Sequence, residues 1–158
     1  MSATYRIQDE PRPGAMGHLV VNPVFPLLSL MMGGAWLGIP WFIFNAFAMG
    51  STTRRKETVL AVLLIPGTLL LYFLLGMLMK LEVLTTASLP YAGVGITVWK
   101  LAVGYVLFNL QQRNFALHEY YGGVVRNGAL VLVASIFIGP RIFMALTGGN
   151  RVLLALLG

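Results

Sequence analysis

Between Leu19 and Met49 the chain runs for 31 residues without a formal charge, and between Thr58 and Met79 for another 22. At a rise of ~1.5 Å per residue, ~20 apolar residues cross ~30 Å of hydrocarbon, so either run is long enough to span a bilayer. Water is a poor solvent for such a chain. The residues AVILMFWYC make up 58% of it and DEKR only 10%, against about 25% charged residues in an ordinary soluble domain. A domain of ~150 residues leaves roughly a third of its unfolded-chain surface exposed, and five acidic with eleven basic side chains cannot cover that area. The expectation is an all-α integral membrane protein. With no cysteine in the chain, disulfides, thiolate metal sites and Cys nucleophiles are excluded.

Four spans are expected, at about 19–49, 58–79, 92–110 and 129–147, in one membrane domain over 19–158. Residues 1–18 precede it as a polar tail, where Pro11 and Pro13 interrupt any helix. The first stretch is half again too long for one crossing. Pro23 and Pro26 suit a turn at its start, and Gly33, Gly34, Gly38 and Pro40 suit a break. One tilted, kinked span is the favoured reading and a re-entrant hairpin the other. A cleaved signal sequence, suggested by Ala46-Phe47-Ala48, fails because its apolar core runs only about 7–15 residues behind a basic start. Pro66-Gly67 is expected to kink the second span, and residues 83–91 read as a short loop. The run from Gln111 to Gly128 reads as an interfacial connection, with Phe115, Tyr120 and Tyr121 at headgroup level and Gly122-Gly123 turning the chain. Asn127-Gly128 suits the capping of the last span. The final apolar residues after Arg151 are too few to cross and are expected to lie in the interface.

Short cytoplasmic loops carry the excess of Lys and Arg. Loop 50–57 holds Arg54, Arg55 and Lys56, and loop 111–128 holds Arg113 and Arg126, whereas the loop between them has Lys80 balanced by Glu82. The two richer loops are therefore placed in the cytoplasm. An echo between Gly38-Ile39-Pro40 and Ile138-Gly139-Pro140 resembles the paired breaks of inverted repeats, although Gly and Pro are common in spanning helices.

Two cations interrupt the spans. Lys100 is expected ~12 Å and Arg141 ~9 Å below the outer ends of their helices, where a cation costs roughly 2.5–3.5 kcal/mol. Each must snorkel, pair with Glu82 on the same side, or hold a bound anion or lipid headgroup. The planar fork of Arg141 suits a phosphate or carboxylate better than Lys100 does. The basic residues 54–56 suffice as a topogenic signal and fall short of the 4–8 charges of a specific lipid-binding cluster. His18 and His118 have no metal-ligand spacing, and with four spans they lie on opposite sides. Ser29 and Ser135 have no His/Asp partners, no phosphate loop is present, and the net charge of +6 is too dispersed for nucleic acid. No metal and no cofactor are expected.

What remains is contact surface. Gly93, Thr97, Leu101 and Gly104 share a helical face, Gly34 and Gly38 stand four apart, and Trp36, Trp41, Phe42, Phe44 and Phe47 crowd the second half of the first stretch. Small residues at this spacing let backbones approach closely. Asn45 and Asn109 are candidates for hydrogen bonds between helices. The expected function is that of a non-catalytic subunit, partnered by lipid and by other membrane subunits or copies of itself. The alternative is an oligomeric channel or transporter with an anion site at Lys100 and Arg141. An enzyme centred on His118 and Glu119 is the weakest reading.

Overall fold

The computed structural model describes residues 15–85, 87–150, 153–154 and 157–158; most of the expected polar tail, and Arg151, lie outside them. Among the described residues the fold is all-helical. A short 3-10 turn at Gly17–Leu19 precedes α1 (Val24–Met32), α2 (Ala35–Ala48), α3 (Arg54–Lys80), α4 (Leu89–Tyr120), α5 (Ala129–Phe137) and α6 (Gly139–Thr147). Two helices are long and apolar enough to cross a bilayer. These are α3 and α4, and the pair α5–α6, bent by 56°, would add a third if it is one broken span.

The first stretch is not one kinked helix. Asn22 Oδ1 accepts from the amide of Val24 at 3.0 Å, an Asx turn that leads into α1. After nine residues the chain turns at Gly33-Gly34, where Gly34 has φ +93°, a conformation that glycine adopts without Cβ strain. Then α2 runs back along α1. A Cβ on Gly38 would meet the Leu30 Cα at 2.6 Å, and farther out Asn45 donates to the Val21 carbonyl and accepts from its amide, both at 3.0 Å. Contacts 30–38 and 21–45 define an antiparallel hairpin. Its arms are only ~14 and ~21 Å long, short of a bilayer's hydrocarbon core.

α3 and α4 form a second, longer antiparallel hairpin. Gly67 faces the Trp99 ring, and Asn114 reaches Thr53 and Glu57. Helix α3 continues through Pro66 to Lys80, and the turn after it passes through Glu82 at φ +57°. The boundaries of α4 differ from expectation at both ends. It begins at Leu89 with Pro90 in its first turn, and it continues ten residues past Leu110. The reason is periodicity: Gln111, Asn114, Phe115 and His118 are all buried on one face, the i, i+3, i+4, i+7 spacing of a helix side, with polar side chains in the apolar positions. Gly122 (φ +76°) ends the helix as its amide bonds the Glu119 carbonyl at 2.9 Å.

The short hairpin packs against the Arg54–Tyr120 half of the long one. Leu30, Ile39 and Phe42 meet Ala61, Leu64, Val103 and Leu107 in one core, and Gly104 admits Leu30 and Leu27. Beside them α5 runs parallel to α1, from Gly128 against Phe25 to Ser135 against Gly33. Asn127 Oδ1 accepts from its Ala129 amide at 2.9 Å in the turn before it. The remaining half of α3 and α4 stands with little cover: Phe73 is 69% and Val94 61% exposed.

Candidate functional site

Lys100 and the two chain breaks meet at one level. The Gly33-Gly34 tip of the first hairpin, the Pro140 start of α6 and the Thr97–Leu101 turn of α4 surround a cavity of about 460 Å³. Its walls are apolar apart from Thr97, Lys100 and main-chain atoms, with Met31, Met32, Trp36 and Phe143 prominent. The indole of Trp36 donates to the Gly33 carbonyl at 2.8 Å and stacks on Phe143, ring centres 5.5 Å apart, so the tip is held from the α6 side.

Into this cavity Lys100 points half-buried, its ammonium donating to the main-chain oxygen of Gly158 at 2.7 Å. Helix α2 starts at the same place. Gly34, its N-cap, supplies no side-chain acceptor, and the first amides of a helix lack intrahelical partners and carry the positive end of its dipole. The main chain of Leu157 and Gly158 meets both: a Cβ on Gly34 would stand 2.9 Å from the Leu157 carbonyl oxygen and 3.1 Å from the Gly158 carbonyl carbon, so the ammonium and the start of α2 face the same two residues.

The expected companions of Lys100 lie elsewhere. Neither Arg141 nor Glu82 lines the cavity; Arg141 is exposed on α6, and Glu82 is exposed in the turn after α3. Arg54, Arg55 and Lys56 are exposed on the first turn of α3 rather than in a loop, with the Arg54 guanidinium 5.7 Å over the Phe47 ring. Of the two asparagines, Asn45 bridges helices by donating to Gln111 Oε1 at 3.2 Å, while Asn109 only bonds the Tyr105 carbonyl of its own helix.

A second polar centre, at the basic end, escaped the sequence reading. Glu57 is 1% exposed. Its Oε1 accepts from Ser51 Oγ at 2.5 Å, Thr53 Oγ1 at 2.6 Å and Asn114 Nδ2 at 3.4 Å, whereas its Oε2 is buried without a partner. Gln111 adds a bond from Nε2 to the Phe42 carbonyl at 2.6 Å. Together these bonds tie α2, α3 and α4 at one end. The only sequence signal was the polar face of α4, hidden because charge was weighed there before period.

The histidines also require correction. Folding the first stretch back puts His18 at the same end as His118: the His18 carbonyl accepts from Arg126 Nε at 3.2 Å, and His118 Nε2 lies 3.3 Å from the Val124 carbonyl. Separation across the membrane is thus no argument against a shared ligand. Among the described residues, no group of three or more His, Cys, Asp or Glu gathers to hold a metal. No protein-family model, curated protein or solved structure matches the chain.

Proposed function

We propose that the chain is a small integral membrane subunit whose work is to pack, without catalysis, into an assembly of its own copies or of other membrane proteins. The observation that carries this reading is the uncovered half of the long hairpin. In the most apolar windows of α3 and α4 only 17% and 22% of residues are buried, and at Gly76, Gly93 and Gly95 no atom of the described residues, beyond the local helix backbone and chain neighbours, lies within 4 Å of where a Cβ would stand. Contiguous apolar surface on this scale is not tolerated in water. In lipid, small residues with open space above them suit the close approach of another helix.

The arrangement in the membrane is two complete spans, α3 and α4, with α1–α2 as a half-depth hairpin and α5–α6 as a broken third element. It differs from the four spans expected from sequence, the first of them long and kinked or re-entrant. Among the described residues, Arg54, Arg55, Lys56, Arg113 and Arg126 gather at one end and Lys80 stands at the other, and the positive-inside rule turns the richer end to the cytoplasm. The test is the particle mass of the protein extracted in mild detergent and reconstituted in nanodiscs. More than one protein chain per particle is expected, and particles holding a single chain of 17.2 kDa at every detergent and lipid ratio would refute the reading.

A second reading has its own observation, the cavity at Lys100. A carrier or channel for anions would use it as a mid-depth station. It would do so without Arg141, and anion flux through liposomes that disappears in Lys100→Met would support it.

A further inference from the structure

We infer that the groove at the basic end of α3 is a binding site for a phospholipid of net negative charge, with its phosphate at Arg55 and Lys56 and an acyl chain along the helix below them. The inference goes beyond the packing role, since one copy of the chain supplies the site, and it takes from that reading only that α3 lies in a bilayer. Lys56, Val59, Leu60 and Leu63 follow the i, i+3, i+4, i+7 spacing of one helix side. With Arg55, and with Leu110 of α4, they line an open groove of about 450 Å³. Leu60 packs against the core shared by α2, α3 and α4, while Val59 and Leu63 stand exposed beside it. Among the described residues no carboxylate lines the groove. The nearest in sequence, Glu57, is buried and accepts from Ser51 and Thr53.

Depth and charge choose the occupant. The uncharged stretch of α3 begins at Thr58, so Arg55 and Lys56 stand just outside the hydrocarbon, at the level of lipid phosphates, and Leu63 lies ~10 Å farther in along the axis. A phospholipid has the same layout, an anion at one end and an apolar chain leading away from it. The 27 residues of α3 rise ~40 Å, the thickness of a hydrocarbon core with its headgroup layers, and this register puts Lys80 in the opposite layer. Counted along the chain, residues 54–56 fall short of a lipid-binding cluster. In the fold two of them share one groove, and Leu110 also borders the cleft lined by Arg113, a third cation at the same end. In a bilayer an acyl chain is already out of water, so the groove contributes packing and position, and the charges contribute selectivity. Each basic residue near the surface favours an anionic lipid by about 5-fold. A zwitterionic lipid brings a cation of its own to the same place, and a free phosphate leaves the apolar track unused.

The experiment is native mass spectrometry of the full chain in detergent micelles, titrated with dioleoyl phosphatidylglycerol or dioleoyl phosphatidylcholine. The first phosphatidylglycerol per chain is expected to bind at least about 10-fold more tightly than phosphatidylcholine, and the double variant Arg55→Gln/Lys56→Gln to shrink that preference to within about 3-fold. Val59→Trp, which fills the groove and leaves both cations in place, is expected to weaken phosphatidylglycerol binding at least about 3-fold. Lys80→Gln removes a cation from the other end and is expected to change nothing. Glycerol 3-phosphate, which carries the phosphate without the chains, is expected not to displace the lipid at equal concentration. The inference is overturned if the wild-type chain binds the two lipids equally, if the double variant keeps the preference, or if Val59→Trp binds as tightly as wild type. It is equally overturned if Lys80→Gln loses as much as the double variant, because net charge alone would then act, or if glycerol 3-phosphate competes as well as the whole lipid, because a free phosphate would then own the site. Val59→Trp and Lys80→Gln carry the test if the double variant fails to fold. Lipids per chain and chains per particle are separate readings of the same spectra, so failure here is separable from failure of the packing role.

Discussion

At the scale of single residues, two glycines that look alike in sequence do different work. A Cβ at Gly38 would strike the Leu30 backbone, with Cα at 2.6 Å and N at 2.9 Å, whereas at Gly104 it would strike the far end of the Leu30 side chain, the Cδ2 methyl. A backbone cannot step aside without opening the hairpin, but a terminal methyl can change rotamer. Gly38→Ala is therefore expected to cost about 1–3 kcal/mol and Gly104→Ala clearly less, measured as unfolding midpoints in a denaturing detergent titration. Equal losses would show that the hairpin is looser than its geometry. Glu57 supplies a second contrast. In Glu57→Gln the amide oxygen keeps an acceptor for Ser51 and Thr53, whereas Glu57→Ala removes the acceptor that these two hydroxyls share, while Asn114 keeps its bonds to Thr53 Oγ1 and the Leu110 carbonyl. Each buried group left unpaired costs about 1–3 kcal/mol. The alanine variant is expected to be the less stable of the two in the same titration, and the reverse order would mean that the network contributes little.

At the scale of elements, the decisive question is whether the first stretch crosses or returns. The chain has no native cysteine, so introduced ones report alone. Met16→Cys and Thr52→Cys, both exposed at the ends of the short hairpin, are expected to react with a membrane-impermeant maleimide from the same side, and Val83→Cys from the opposite one. Labelling of positions 16 and 52 from opposite sides would mean a crossing. The sequence made the helices legible through their uncharged length, and α3 lies close to where charge alone placed it. It did not reveal the hairpin, because a 31-residue apolar run is compatible with either path, and only the match of Gly38 to Leu30 and of Asn45 to Val21 chooses. The end of α4 was missed for a different reason. Gln111 bonds Asn45 and the Phe42 carbonyl, Asn114 bonds Thr53 and Glu57, and His118 meets the Val124 carbonyl, so a polar stretch hides a buried helix face. Of the candidate site, Lys100 was legible as a charge out of place. Its separation from Arg141 and Glu82 depends on the bend at Ile138 and on the turn through Glu82, which spacing along the chain does not encode.

At the scale of the whole molecule, the distribution of cover is the fact to be explained. One half of the long hairpin is wrapped by α1 and α2 and tied by the Asn45–Gln111 and Glu57–Asn114 bonds. Among the described residues, the other half is built of little beyond its own two helices. If lipid alone faced that half, glycines at 76, 93 and 95 would serve no purpose, since each costs a helix about 1 kcal/mol relative to alanine and none makes room for another element among the described residues. If another helix lies there, the glycines are what let it approach. Gly76→Leu, Gly93→Leu and Gly95→Leu, made singly, separate the two cases. Each is expected to leave the resistance of the isolated chain to unfolding unchanged or raised, because helix propensity improves and nothing clashes, while lowering the number of chains per particle. Should all three variants keep the wild-type particle mass, this face would be covered by lipid and the assembly contact would have to be sought elsewhere, first around Phe44 and Phe47, an exposed aromatic pair on α2.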